Sequence, residues 1–501
     1  MAKITDLPEA ILQQIFSLLR SEGEGIKASL CCKPLMNAWL TRPDLVFDFD
    51  HLLRCCDYEN RREIFEEDVE YQQLLDYLTR TLRRYHQGKV PIRSFTFKHG
   101  PYSFQKRIVK PHVLEEWVRL ASENGAKIRL NLLYDCYLPQ NFWEWKNLAE
   151  DLMSYCNSIE DMEILFCTGL KKIVTNKLPR LKRFRFRGDV DYFTLEIQSP
   201  SLEFLTAKMP GWNGKLTLHP CQNLKYLRLK NFVVNAGNRF FEDLDNYFPN
   251  LQSLRLGRTC VIRCDSEDIS KIKVSSSSLE RLQLKLIHDL DDILVRAPRL
   301  NEFVYHGYAT ADPNIIGASS LRTSTLKIVP SYVDYRSNRC KYSFDRVKEL
   351  IKKFGQSRLS LVLKSRQHSV INLGMEQVRD DDPHIPAIER LSVEGEGNEE
   401  SLISMLDRCF WCCRPKILSV KWWGCLNDVD GGDPFLERAM KTEYQDHDQG
   451  HIKFWQRDLK RVQPQALDHP NHESDGRPKD FLHFLYTLDW DTPSSSTATE
   501  E

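Results

Sequence analysis

One phrase, Leu-x-x-Leu-x-Leu, returns along the middle of this chain and limits what the chain can fold into. It stands as Leu181-x-x-Phe184-x-Phe186, Leu202-x-x-Leu205-x-Ala207, Leu224-x-x-Leu227-x-Leu229, Leu251-x-x-Leu254-x-Leu256, Leu279-x-x-Leu282-x-Leu284 and Leu300-x-x-Phe303-x-Tyr305. The last three residues of each phrase alternate apolar and other side chains, the mark of a short strand with one buried face. The leading positions lie 21 to 28 residues apart. A unit that short cannot bury its apolar face alone, so six in series predict stacked units sharing one continuous core. Pro179, Pro200, Pro249 and Pro298 stand two residues before a leading leucine, and Pro220 four before Leu224. A proline there stops the preceding segment and hands the chain to an extended strand.

Weaker copies extend the array. Upstream are Ile92-x-x-Phe95-x-Phe97, Ile128 to Leu132 and Met162-x-x-Leu165-x-Cys167. Downstream are Leu321 to Ile328, Leu359 to Leu363, Ile388-x-x-Leu391-x-Val393 and Ile417-x-x-Val420-x-Trp422. Between strands, Phe241 to Phe248 and Asp291 to Arg296 are expected as short helices, and Ser343 to Gly355 as a longer one. The shorter repeats leave room only for loops or single turns.

The N-terminus follows a different pattern. Pro8 suits a first helical turn, with Thr5 or Asp6 as its cap. Ile11, Leu12, Ile15, Leu18 and Leu19 recur at three- and four-residue steps, predicting an amphipathic helix. Ser21 to Gly25 is expected to break it; Ile26 to Cys32 and Pro34 to Leu40 then read as two further short helices. So small a bundle carries more apolar side chains than it can hide, which predicts a docking module.

Leu7-Pro8, Ile11 to Leu19, Ala28 to Lys33 and Trp39 resemble an F-box, and Arg42-Pro43-Asp44-Leu45-Val46-Phe47-Asp48 is similar to the exit from that module in plant F-box proteins with leucine-rich repeats. The likeness extends to Trp411 to Val420 and Phe454 to Lys460. It implies an α/β chain: F-box at 1–48, helical linker at 49–88, an irregular leucine-rich-repeat solenoid or horseshoe at 89–425, a C-terminal cap at 426–490 and a disordered tail at 491–501. In the tail, Phe435 to Met440 and His451 to Val462 are expected to be helical. The resemblance further implies a non-catalytic substrate-recognition subunit of an SCF ubiquitin ligase, the alternatives being a ligand-sensing F-box receptor for a small acidic molecule or a leucine-rich-repeat scaffold outside ubiquitin transfer. Leu7, Pro8, Ile11, Leu12, Ile15, Leu30 and Trp39 would meet a Skp-family adaptor, through which cullin and RING subunits are recruited to an unknown protein target.

Composition narrows the alternatives. Seventy basic and seventy acidic residues cancel, so attraction of the whole chain to nucleic acid or membrane is not indicated. No apolar run approaches a membrane span, and residues 1–6 carry no apolar leader; a cytoplasmic or nuclear protein is expected. Fifteen cysteines, an odd number, then read as reduced thiols. Cys409-x-x-Cys412 has no second pair at ligand spacing, and His447, His451, His469 and His472 have no cysteine partners, so no zinc is expected. Gly23-x-Gly25-x-x-Ala28 follows no strand, Lys215 precedes Leu216 rather than Ser or Thr, and Asp428-x-Asp430-Gly431-Gly432-Asp433 lacks the closing Glu of a calcium loop. These absences point away from an enzyme.

The residues between and after the repeat leucines tell more. They read Arg183, Arg185, Arg187; Phe204, Thr206, Lys208; Tyr226, Arg228, Lys230; Ser253, Arg255, Gly257; Arg281, Gln283, Lys285; Glu302, Val304, His306. Half are Lys or Arg against one acid, a segregation on a chain with no net charge. Two readings follow. Arg183, Arg185, Phe204, Tyr226, Arg228, Arg255 and Arg281 bind an acidic or phosphate-bearing ligand, whether an acidic segment, a phosphorylated peptide or an inositol phosphate as in hormone-receptor members of the wider family. Alternatively this is a solvated face whose cations pair with acids from loops on the outer side. No other cofactor is expected.

Overall fold

The computed structural model describes residues 4–19, 22–48, 66–99, 111–133, 159–165, 172–176, 178–188, 193–210, 214–234, 240–257, 271–285, 292–308, 312–316, 321–329, 331–334, 339–341, 344–364, 385–397, 399–423, 459–464 and 481–490. They form a mixed α/β chain with two units, Met1–Ile269 and Ser270–Glu501.

The first unit begins with a 3₁₀ turn, Ile4–Asp6, and helices α1 (Glu9–Leu18), α2 (Glu22–Ser29) and α3 (Lys33–Leu40). Pro8, not Thr5 or Asp6, holds the cap position of α1, and its carbonyl accepts the Ile11 and Leu12 amides at 2.9 and 3.2 Å. The first helix does end where a break is expected, at Leu18 with Leu19 extended, but the expected break does not reach Gly25: α2 starts at Glu22 and runs through Gly23 and Gly25. Packing explains why. The Gly25 backbone lies against the Trp39 indole so closely that a Cβ would collide with the ring, and the stacking offsets glycine's weak helical preference.

From Asp44 the chain lays down β1 (Asp44–Asp48), helix Glu66–Gln87, β2 (Ser94–His99), helix Pro111–Glu123, β3 (Lys127–Leu133) and β4 (Ile159–Leu165). Then follow β5 (Lys172–Val174), β6 (Arg183–Arg187), β7 (Phe193–Ile197), β8 (Phe204–Lys208), β9 (Gly214–Leu218), β10 (Tyr226–Lys230), β11 (Phe232–Val234), the single helical turn Leu244–Tyr247 and β12 (Ser253–Gly257). Strands β1, β2, β3, β4, β6, β8, β10 and β12 pair in that order, all parallel. Phe184 and Phe186, Leu205 and Ala207, Leu227 and Leu229, and Leu254 and Leu256 form consecutive buried rungs.

A second parallel sheet, in the order β11-β9-β7-β5, fills the return path of these repeats. Sequence had suggested loops there. Phe193, Leu195 and Ile197 on β7, and Leu216 and Leu218 on β9, are buried; period-two burial in so short a return suits a strand. The leading leucines close a recurring turn. Leu181, Leu202, Leu224, Leu251 and Leu300 donate their amides to the carbonyls of Leu178, Ser199, Cys221, Phe248 and Ala297, at 3.0 to 3.2 Å. Pro179, Pro200, Pro249 and Pro298 thus sit second in a four-residue turn, where their preset φ favours it.

The second unit repeats this plan. Its strands are β13 (Lys271–Ser275), β14 (Arg281–Lys285), β15 (Asp292–Arg296), β16 (Glu302–Tyr308), β17 (Asp312–Ile316), β18 (Thr323–Val329), β19 (Ser331–Asp334), β20 (Arg339–Lys341), β21 (Arg358–Lys364), β22 (Ala387–Glu396), β23 (Arg414–Trp423), β24 (Leu459–Pro464) and β25 (Phe481–Trp490). Strands β14, β16, β18, β21, β22 and β23 pair in parallel, and β25 and then β24 add antiparallel at the end. Strands β13, β15 and β17 form a smaller parallel sheet.

Two expected helices are corrected here. Asp292–Arg296 is strand, because Ile293 and Val295 alternate into the core. Leu459 to Val462 is also strand, pairing along β25 and ending at Pro464, where a missing amide matters little on an edge. Ser343 to Gly355 contains the expected helix, Phe344–Phe354, whose Phe354 stacks on Phe303 at 5.4 Å. The expected helices at 435–440 and 451–458, the Asp428 to Asp433 turn, the four tail histidines and the tail at 491–501 lie outside the described residues.

Candidate functional site

The N-terminal helices use one apolar face for their own core and leave another open. Leu12, Phe16, Leu35, Ala38 and Trp39 form that core, with Ile15, Leu19 and Ile26 packed against it. The Phe16 ring meets the Trp39 indole edge-on at 5.2 Å. On the indole's face lies the Arg42 guanidinium, 3.5 Å from the ring centre, with Nη1 donating to the Trp39 carbonyl at 2.8 Å. Arg42 is buried, and this stacking plus hydrogen bonding offsets the cost of desolvating it.

Leu12 and Trp39, which the resemblance places against an adaptor, therefore hold the bundle together rather than stand on its surface. The open face is a different stripe. Ile11, Ile15 and Leu18 follow one another at steps of four and three, so they line one side of α1, and Leu7 stands just before the helix. Leu7 is 37% exposed, Ile11 43% and Leu18 77%, while Ile15 is half-buried. Pro8 is exposed beside them, and Leu30, 69% exposed, closes α2.

A cleft of about 670 Å³ lies within the first unit, bordered by Gln13, Phe16, Trp39, Val46, Arg93 and Lys98. Its charges are matched internally. Arg93 pairs with Asp44, Ser94 Oγ donates to Asp44 at 2.7 Å, and Lys98 lies 3.5 Å from Asp48. The hydrogen bond from Arg93 holds the Asp44 carboxyl below its ordinary value despite burial. These pairs pin β1 to β2.

The basic face differs. Register places Arg183, Phe204, Tyr226 and Ser253 in one row across β6, β8, β10 and β12. Arg185, Thr206, Arg228 and Arg255 form the next, and Arg187, Lys208, Lys230 and Gly257 the third. Neighbouring strands are about 4.8 Å apart, so each row brings its charges close together. An open groove of about 600 Å³ is lined by Arg183, Arg185, Arg187, Lys208, Arg228 and the aromatic pair Phe204 and Tyr226. Phe204 is 41% exposed, with its ring 6.3 Å from Tyr226. The Arg255 guanidinium lies 5.4 Å over the Tyr226 ring.

Among the described residues, two acids that answer this face stand on a neighbouring strand. Strand β4 sets Asp161 and Glu163 opposite Arg183 and Arg185, giving ion pairs at 2.8 and 3.8 Å. Among the described residues, no ion pair reaches Lys208 on β8 or Arg228 on β10. Burial first, then the fields of Arg228, Arg187, Lys230 and Arg185, lower the Lys208 pKa. A lysine in such a field gains from any anion brought beside it. Ser253, in the same row as Tyr226, is buried, and among the described residues its hydroxyl finds no hydrogen-bond partner.

Of the residues expected to hold a ligand, Arg183, Arg185, Phe204, Tyr226 and Arg228 thus share one groove and Arg255 flanks it. Arg281 belongs to the second unit, exposed on β14 across from Glu302. Cys409, Cys412 and Cys413 are buried thiols. Burial pushes Cys409 and Cys413 well up and Cys412 to about 12, which makes them packing residues and poor nucleophiles. Among the described residues, no helix is long and apolar enough to cross a membrane. No protein-family model matches the chain, and no curated protein matches it.

Proposed function

We propose that this protein is the substrate-recognition subunit of an SCF-type ubiquitin ligase. The three N-terminal helices act as an F-box on a Skp-family adaptor, and the repeats form a leucine-rich solenoid whose basic face captures an acidic target. The observation that carries the reading is the second apolar stripe, Ile11 and Leu18 on α1 with Leu7 just before it, left exposed beside half-buried Ile15 after Leu12, Phe16 and Trp39 have closed the core. An uncovered stripe on a helix this small favours a partner's apolar surface. The residues that carry the F-box resemblance include that stripe. Catalysis on this reading is proximity: the chain holds a target lysine near a charged conjugating enzyme supplied by cullin and RING subunits. Cytoplasm or nucleus is the matching location.

Co-expression with a Skp-family adaptor tests the proposal. A one-to-one complex is expected from the natural chain, and none from a variant with Leu7, Pro8 and Ile15 replaced by alanine. Failure of the natural chain to co-purify would overturn the ligase reading.

The groove over Phe204 and Tyr226 favours a second reading, a receptor in which a small acidic molecule or inositol phosphate completes the target surface. Target capture that requires the added molecule would select it.

A further inference from the structure

The three rows of the basic face differ from one another along the strands, and the difference has a direction. In the first row Phe204 on β8 and Tyr226 on β10 stand beside Arg183, whose charge meets Asp161 at 2.8 Å. That end is apolar, and its one cation is answered. In the second row Thr206 lies between Arg185 and Arg228, and in the third Lys208 lies between Arg187 and Lys230. On β8 and β10 these two rows hold Lys208, Arg228 and Lys230 and no acid. Among the described residues, no ion pair reaches any of the three.

Spacing along the strands selects the kind of molecule that fits. Phe204, Thr206 and Lys208 come at every second residue of β8, about 6.6 Å apart, which is also the step at which an extended peptide presents side chains on one face. A peptide laid along β8 therefore keeps register with all three rows. Laid across the strands, it would meet a new strand every ~4.8 Å and fall out of step. Thr206 is the shortest of the three side chains and has a guanidinium on each side, so a carboxylate above it can reach both. Phe204 is exposed, with its ring 6.3 Å from Tyr226, and offers a large side chain an aromatic wall.

We propose that the groove over β8 binds an extended peptide of the pattern aromatic-x-acid-x-acid, in either chain direction. The aromatic side chain sits on Phe204 and Tyr226, the nearer acid above Thr206 between Arg185 and Arg228, and the farther acid on Lys208. This names the target class of the basic face and rests on the reading of that face as the one that captures a target; it does not depend on adaptor docking. Both parts of the pattern are needed. A run of acids alone leaves Phe204 uncovered, and an aromatic alone leaves the cations unanswered. A single-stranded nucleic acid also joins rings to anions, but it carries charge evenly along its length, whereas here the free cations stand at one end and Glu163 lines the groove wall.

The surroundings agree. Burial first, then the fields of Arg228, Arg187, Lys230 and Arg185, hold the Lys208 pKa below its ordinary value, and a carboxylate seated on that lysine opposes those fields. Arg255 in the second row lies 5.4 Å over the Tyr226 ring, so one ring of the platform is held in place before a ligand arrives, which lowers the cost of ordering it. Asp161 and Glu163 on β4, opposite Arg183 and Arg185, repel an acidic peptide that shifts toward β6. The axis of the ligand is thereby kept on β8.

Calorimetry on the full chain at low salt tests this with unlabelled, end-blocked peptides. Trp-Ser-Glu-Ser-Glu and its reverse, Glu-Ser-Glu-Ser-Trp, carry the pattern. Ser-Glu-Trp-Glu-Ser has the same composition but turns its Trp away from the acids, and Ala-Ser-Glu-Ser-Glu lacks the ring. At least one pattern peptide is expected to bind about tenfold more tightly than the latter two. Phe204→Ser, at an exposed position, should erase that margin and leave binding of the alanine peptide unchanged, and Arg228→Gln should weaken all the acidic peptides by about a similar factor. If every acidic peptide binds alike wherever its Trp stands, the pattern is overturned and capture of an acidic target survives; if no acidic peptide binds, both are overturned. An octauridylate that binds more tightly than the pattern peptides would overturn the proposal in favour of a nucleic acid.

Discussion

Gly25 and Trp39 show how much one side chain can decide. Glycine permits the indole to lie flat on α2, Phe16 closes its edge and Arg42 its other face. Replacing Gly25 by valine should overpack this site and cost about 1–3 kcal/mol, read as a lower melting temperature of the N-terminal unit with loss of adaptor capture. His306 carries a second prediction. Its folded-state pKa of about 4 lies below the ordinary 6.5, so as pH falls below about 6.5 the unfolded chain takes up a proton that the folded ring refuses. The stability held at neutral pH is lost progressively between about 6.5 and 4 and levels off below. After discounting for solvent screening of a half-exposed ring, the loss is about 1–2 kcal/mol. His306→Gln should flatten that part of a stability-against-pH curve; an unchanged slope would count against a buried neutral ring.

Helix α1 serves two neighbours, and substitutions on its two faces should separate them. Leu12→Ala empties a buried position and should cost about 2–5 kcal/mol in thermal unfolding. Ile11→Glu, on the open stripe, should leave stability within about 0.5 kcal/mol and abolish adaptor co-purification. The strands behave differently, because each is one rung among several. Leu227, fully buried between Leu205 and Leu254, should cost about 3 kcal/mol when cut to alanine, with the loss spreading through the paired rungs of that unit. The repeat phrase marked these strands well: β6, β8, β10, β12, β14 and β16 each begin two residues after a leading leucine. The return strands β5, β7, β9 and β11 were not marked, since runs of three to five residues carry too little periodicity to separate strand from turn. The antiparallel β25 escaped because its partner β23 lies far back in the chain, and β24 because it pairs along β25.

Across the chain, seventy positive and seventy negative side chains cancel, and the functional reading rests on how they are sorted. Reversing Arg185 and Arg228 to glutamate should abolish capture of an acidic target while leaving adaptor co-purification intact. Capture by the natural chain should weaken steeply as salt rises from about 0.05 to 0.5 M, as an open, charged groove requires. Insensitivity to both would return the basic face to the role of a solvated sheet surface. The cations of that face were legible because they recur at fixed offsets from the repeat leucines. Their answering acids, Asp161 and Glu163, were not, because the weaker copy read from Met162 is three residues out of phase: β4 buries Ile159, Met162 and Ile164, which puts the two acids on the face of the arginines.

Local pattern was enough for the α/β character, the parallel strands, the amphipathic first helix and the row of arginines, since each depends on spacing within a few residues. Pairing decided the rest. Which face of α1 stays open depends on what Phe16 and Trp39 fill, and whether a return segment is helix or strand depends on the sheet beside it. Glu394 pairs with lysines from positions 327, 364 and 421, and no periodicity links those numbers. They meet because parallel strands about 4.8 Å apart carry them to one carboxylate, and a charge cluster of that kind exists only once the strands are in register.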